Sequence, residues 1–119
     1  MGRLDVPVRV AHPTEHARAE EVRLMVDTGA TFTVLPGEVW QRLGLTGETT
    51  RRLRTADGRV LERPQGLAYL EVDGQLGTVP VVQGGEGDVP VLGVTSLEIL
   101  GLAVDPVKGE LRPSEHLYL

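Results

Sequence analysis

Leu24-Met25-Val26-Asp27-Thr28-Gly29-Ala30-Thr31-Phe32-Thr33-Val34-Leu35-Pro36 sets one carboxylate between two apolar runs. A lone buried carboxylate is costly unless it is hydrogen-bonded, paired or protonated, so Asp27 in this setting calls for a use. The next two residues suggest how it is held: Thr28 offers a short side-chain donor, and Gly29 lets the backbone turn tightly. Upstream, Leu4, Val6, Val8 and Val10 alternate with Asp5, Pro7 and Arg9, and Val22, Leu24 and Val26 alternate again after a polar segment, 11–20. That is the period of strands with one buried face. Residues 3–27 therefore read as a long-looped hairpin that delivers Asp27 at its end, with Pro7 placing the first strand at an edge or bulge. His12 and His16 stand four apart in the loop, but Pro13 interrupts any helix and no further ligand cluster exists, so a solvated loop is expected and no metal site.

Downstream, Pro36 to Gly44 predicts a short helix, with Pro in the first turn, Val39, Trp40 and Leu43 facing the core and Gly44 as its C-terminal cap. A polar, β-compatible run from Glu48 to Arg54 meets Asp57-Gly58, a strong hairpin signal, so a projecting polar hairpin is expected there. Leu67 to Val72, the turn Asp73-Gly74 and Thr78 to Val82 read as meander strands. Gly84-Gly85-Glu86-Gly87-Asp88 lacks a following Lys-Ser or Lys-Thr, and its acids would repel phosphate, so it reads as a flexible loop. After Val91-Leu92-Gly93 a second short helix is expected, capped by Thr95 or Ser96 and ended by Gly101. A strand at Ala103-Val104-Asp105, a turn over 106–109 and Glu110-Leu111-Arg112 close the pattern. Trp40-Gln-Arg-Leu43-Gly44-Leu45 and Leu97-Glu-Ile-Leu100-Gly101-Leu102 echo one another, each following an apolar strand and a glycine turn.

With 119 residues and 40% apolar content, the chain is expected to be a single domain, 1–119, with 1–2 and 114–119 as tails. A formal charge of −5 and 3% aromatic residues argue against a nucleic-acid partner. The absence of Cys excludes disulfides and thiol chemistry and is compatible with a cytoplasmic location. No apolar run approaches membrane-spanning length and no signal peptide is evident, so no membrane partner is expected. Gly2 does not complete a myristoylation motif, since Val6 stands where Ser or Thr is needed.

Asp27-Thr28-Gly29-Ala30, followed by Thr33-Val34-Leu35 and, some sixty residues on, by Val91-Leu92-Gly93 and its short helix, closely resembles the retropepsin-like aspartic proteases over residues 3–112. The later segment looks most like the bacterial and archaeal branch. The resemblance implies an all-β fold, a closed β-barrel lobe with one or two short helices, pairing as a homodimer. It implies an aspartic endopeptidase acting on extended polypeptide, without a cofactor. Such chemistry needs two carboxylates sharing a proton, one serving as general base on a water and the other donating to the scissile carbonyl. Only one Asp-Thr-Gly is present, so each chain would give its Asp27 at a two-fold axis.

By the same resemblance, Thr28 would bond across that axis, Gly29 and Ala30 would meet substrate backbone, and Thr55, Ala56, Asp57 and Gly58 would form the flap over an added substrate strand. The chain departs from viral members at Thr31 and Phe32, where those carry acidic residues. Its flap has a single glycine, and Pro113 shortens any interleaving of termini through Leu111 and Leu117-Tyr118-Leu119. Two other readings are a non-catalytic binding or assembly module on the same fold and an aspartyl phosphotransferase. The latter lacks a second nearby carboxylate and a Lys to hold phosphate.

Overall fold

Alternating apolar residues pair as expected at the start of the chain. β1 (Asp5–Ala11) and β2 (Ala19–Asp27) are antiparallel, with Val6 opposite Leu24 and Val8 opposite Val22. The computed structural model describes residues 2–114; Met1 and the proposed terminal element Leu117-Tyr118-Leu119 lie outside them. After Asp27 the chain turns into β3 (Thr33–Leu35) and α1 (Gly37–Arg42), which Pro36 precedes and Gly44 leaves at φ 66°, in the left-handed region that favours glycine. Trp40 and Leu43, at 4% and 3% exposure, pin this short helix to the core. At six residues it draws its stability from that packing, since isolated helices so short are marginal in water.

β4 (Thr49–Arg54), β5 (Val60–Val72) and β6 (Gln75–Gln83) form the meander, and β7 (Val91–Gly93) returns to the centre. Strands run in the order β1-β2-β7-β3-β6-β5, and pairing of β1 with β5 closes this all-β ring of six into a barrel. Among the described residues β4 bonds only to β5, with no strand on its outer edge. Inside the barrel Val8, Val10, Leu24, Leu35, Leu70, Val79, Val81 and Leu92 are fully buried. Each such side chain contributes roughly 1.5–3 kcal/mol relative to exposure.

β5 is longer than the sequence pattern indicates, running unbroken through Pro64 and Gly66 from Val60 rather than beginning at Leu67. The reason is a change of partners along its length. Over 60–65 it pairs with β4, and over 65–72 with β6, so Pro64 lacks an N–H where a single neighbour is served. A side chain at Gly66 would overlap the Thr46 carbonyl, which accounts for the glycine at the handover. Asp73 and Gly74 both take positive φ, 53° and 79°, in the two-residue turn expected between β5 and β6.

α2 (Val94–Leu100) ends at Gly101 in the left-handed region, followed by buried Leu102, as α1 ends at Gly44 before buried Leu45. The echo in sequence is thus an echo in structure. The expected cap is corrected: Gly93, not Thr95 or Ser96, precedes the helix. β8 (Leu102–Asp105) and β9 (Glu110–Pro113) form a separate two-stranded sheet joined to the core through Leu102 and Leu111.

Candidate active site

Asp27 is the last residue of β2 and lies opposite Gly93 in a parallel pairing of β2 with β7. Its carboxylate is half-buried, and Oδ1 accepts the Gly29 N–H at 2.9 Å while its carbonyl accepts the Ala30 N–H at 3.1 Å. The turn Thr28-Gly29 therefore folds back on the acid that precedes it. Gly29, more than Thr28, holds the carboxylate within one chain; the Thr28 side chain is exposed.

The loop after Asp27 is fastened to the helix that follows β7. Val94 N–H donates to the Ala30 carbonyl at 2.8 Å and Thr95 N–H to that of Thr31 at 3.0 Å. These bonds satisfy the first amides of α2, the task expected of a side-chain cap. Ser96 is free for a different role: its hydroxyl is fully buried, 2.6 Å from that of Thr33, which also accepts the Gly93 N–H at 3.0 Å. A Cβ at Gly93 would stand 2.5 Å from the Phe32 carbonyl carbon and oxygen, so the close approach of the two loops requires glycine. The bond between Thr33 and Gly93 is not legible in the sequence, because it spans sixty residues of chain.

The hairpin of β4 and β5 arches beside this loop. Its tip runs from Thr55 to Arg59, with Thr55 N–H bonded to the Arg59 carbonyl at 2.9 Å and Gly58 at φ 88°. The Thr55 hydroxyl donates to Asp57 and, with Arg59, holds its exposed carboxyl below the usual range. Between hairpin and loop lies a groove of about 560 Å³. Leu53, Thr55 and Leu61 line one side, and Ala30, Phe32 and Val34 the other. Of the residues expected to meet substrate, Ala30 and Thr55 line this groove, whereas Gly29, Ala56, Asp57 and Gly58 do not. Phe32, a departure from the viral pattern in the sequence, is a groove residue here, and the Arg51 guanidinium sits 5.1 Å from its ring centre.

The glycine-rich loop is not the slack connection expected of it. Asp88 accepts two bonds from the Arg63 guanidinium, at 2.7 and 3.1 Å, and a third from the Gly85 N–H at 2.6 Å. This clamp ties the groove wall at Asp88 to the root of the hairpin, and the Arg63 guanidinium, foremost, lowers the Asp88 pKa. A depressed folded value contributes stability above the ordinary carboxylate range and loses it as pH falls through the lowered value. Asp88→Asn is accordingly expected to destabilise the protein by about 1–2 kcal/mol at pH 7, with the difference from wild type shrinking as pH falls below the ordinary carboxylate range and through the lowered value. Urea unfolding across that range measures it, and a pH-independent difference would contradict the clamp.

His16 stacks on Tyr69 of β5 at 3.7 Å, and His12 bonds Thr14 through Nδ1 within the β1–β2 loop. Among the described residues no helix is long and apolar enough to cross a membrane. The family model described as aspartyl protease matches residues 6–104, a span that includes Asp27, the hairpin, β7 and α2. No curated protein matches the chain.

Proposed function

Because the chain belongs to the retropepsin-like aspartyl protease family, we propose that it is a homodimeric endopeptidase whose two Asp27 carboxylates meet at a two-fold axis. The observation that carries this reading is the placement of one half-buried carboxylate, on a backbone-bonded turn, at the end of a core strand. Among the described residues no other aspartate has an equivalent setting: Asp5 pairs with Arg3 at the start of β1, Asp57 is at the hairpin tip, Asp73 in a tight turn, Asp88 in the clamp, and Asp105 accepts bonds from the Val107 and Lys108 amides.

Two carboxylates that close share one proton, because like charges so near cannot both ionise. The ionised member takes a proton from water as the water oxygen attacks the scissile carbonyl carbon, while the protonated member gives its proton to the carbonyl oxygen. Collapse of the tetrahedral intermediate then breaks the C–N bond: the amine leaves with the proton that the first aspartate took from water, and a hydroxyl of the intermediate returns its proton to the second aspartate as the carboxylic acid forms. Thr28, exposed in one chain, bonds to the partner across the axis, and Gly29 and Ala30 present backbone to the substrate. The Thr55–Arg59 tip closes as a lid that excludes water and orients the bond.

A statine-type peptide, whose hydroxyl mimics the tetrahedral intermediate, is expected to shift the protein from monomer toward dimer in sedimentation, since it binds the paired site alone. A peptide that binds the monomer without promoting dimers would favour the non-catalytic module instead.

A further inference from the structure

We infer that the hairpin selects acidic polypeptide, with Arg52 and Arg54 as the residues that recognise a carboxylate side chain of the substrate. This rests on the endopeptidase reading and names the substrate class for the same groove.

Charge is unevenly distributed along the chain. Residues 49–63 carry five arginines against Asp57 and Glu62, a net +3, while the total of −5 leaves −8 for the remainder. Part of the hairpin's positive charge is already used: Arg59 pairs with Asp57 and Arg63 with Asp88. Arg51 is turned inward over Phe32 and donates to Gln65. Arg52 and Arg54 are both exposed, and among the described residues neither takes part in an ion pair, Arg54 donating only a 3.3 Å bond to the Gly58 carbonyl. Glu62 faces Arg52 across the strands but makes no ion pair with it. Two residues apart on one strand, the two side chains leave the same face roughly 7 Å from one another, a spacing that can bracket one carboxylate.

Position gives these charges a use. Both arginines stand at the rim of the groove between the hairpin and the Asp27 loop, on the strand face opposite Leu53 and Thr55, and with Val60 they line a recess of about 200 Å³. They stand on β4, whose outer edge no strand among the described residues pairs with, so an extended chain added there would run its side chains past them. An acidic polypeptide is repelled by the rest of the surface and drawn to this arm, which raises its rate of encounter as well as its affinity.

The test uses short labelled peptides identical except for a central Glu-Glu, Gln-Gln or Lys-Lys pair, titrated into the Asp27→Asn protein so that binding is read without cleavage. The Glu peptide is expected to bind about tenfold tighter than the Gln peptide at low salt, with the ratio shrinking several-fold toward about 0.5 M salt. R52Q/R54Q should abolish the preference, and R52E/R54E should turn it toward the Lys peptide. Equal affinities of wild-type arginines for all three peptides would overturn the inference and leave Arg52 and Arg54 as guards of an open strand edge. Tighter binding of a short single-stranded oligonucleotide than of the Glu peptide would overturn it as well. Cleavage of the same peptides by the Asp27 form is scored separately. Selective binding without cleavage would count against the endopeptidase reading and leave the acidic selectivity standing.

Discussion

Asp27→Asn is expected to lower cleavage of an unfolded polypeptide by at least about 10³-fold while the barrel stays folded. The amide oxygen of the substituted side chain can still accept the Gly29 N–H, so the turn that the carboxylate organises keeps its bond. Lost is the group that takes the proton from water, and the share that a positioned acid and base contribute to such a rate is the share that disappears. Unchanged urea midpoints alongside lost cleavage would locate the effect in chemistry. Cleavage at the wild-type rate would remove Asp27 from the reaction altogether.

Gly93→Ala is the largest expected effect on stability. The added methyl would lie 2.5 Å from the Phe32 carbonyl group and 2.9 Å from the Thr33 nitrogen, all backbone atoms that cannot rotate aside. Moving them disturbs the Thr33 hydroxyl that holds the Gly93 N–H and Ser96, and with it the parallel pairing of Gly93 with Asp27. A cost of about 2–4 kcal/mol is expected, a large part of the 5–15 kcal/mol typical of folded proteins. It should appear as a fall of roughly 1–2 M in the urea midpoint. Because the same shift displaces the end of β2, the folded fraction should also cleave more slowly. A variant as stable as wild type would show that the two loops are not locked together in the way described.

Much of this architecture is legible in the sequence where the determinants are local. Period-two alternation gives β1 and β2, Asp57-Gly58 and Asp73-Gly74 give the hairpin ends, and Gly44 and Gly101 give the helix ends. Contacts between segments far apart in the chain are not legible. Nothing near Ser96 signals that Thr33 will claim its hydroxyl, and nothing near Val94 shows that Ala30 and Thr31 carbonyls will satisfy the first turn of α2. The length of β5 was hidden for a related reason. Residues 60–66 belong to the strand because β4 and β6, each set by residues elsewhere in the chain, pair with them. At the candidate site, Asp27-Thr28-Gly29-Ala30 could be identified from its own residues. Which hairpin residues line the groove depends on how the hairpin lies over the barrel, and this brings in Phe32, Leu53 and Leu61 while leaving Ala56 to Gly58 outside.

The pairing of two Asp27 carboxylates is tested most directly by refolding wild type together with the Asp27→Asn variant at varied ratios and measuring cleavage per total protein. If each site needs one Asp27 from each chain, activity follows the square of the wild-type fraction, and an equal mixture retains about a quarter of full activity. Activity in simple proportion to the wild-type fraction, about a half in the equal mixture, would mean that one chain carries a complete site and would contradict the account.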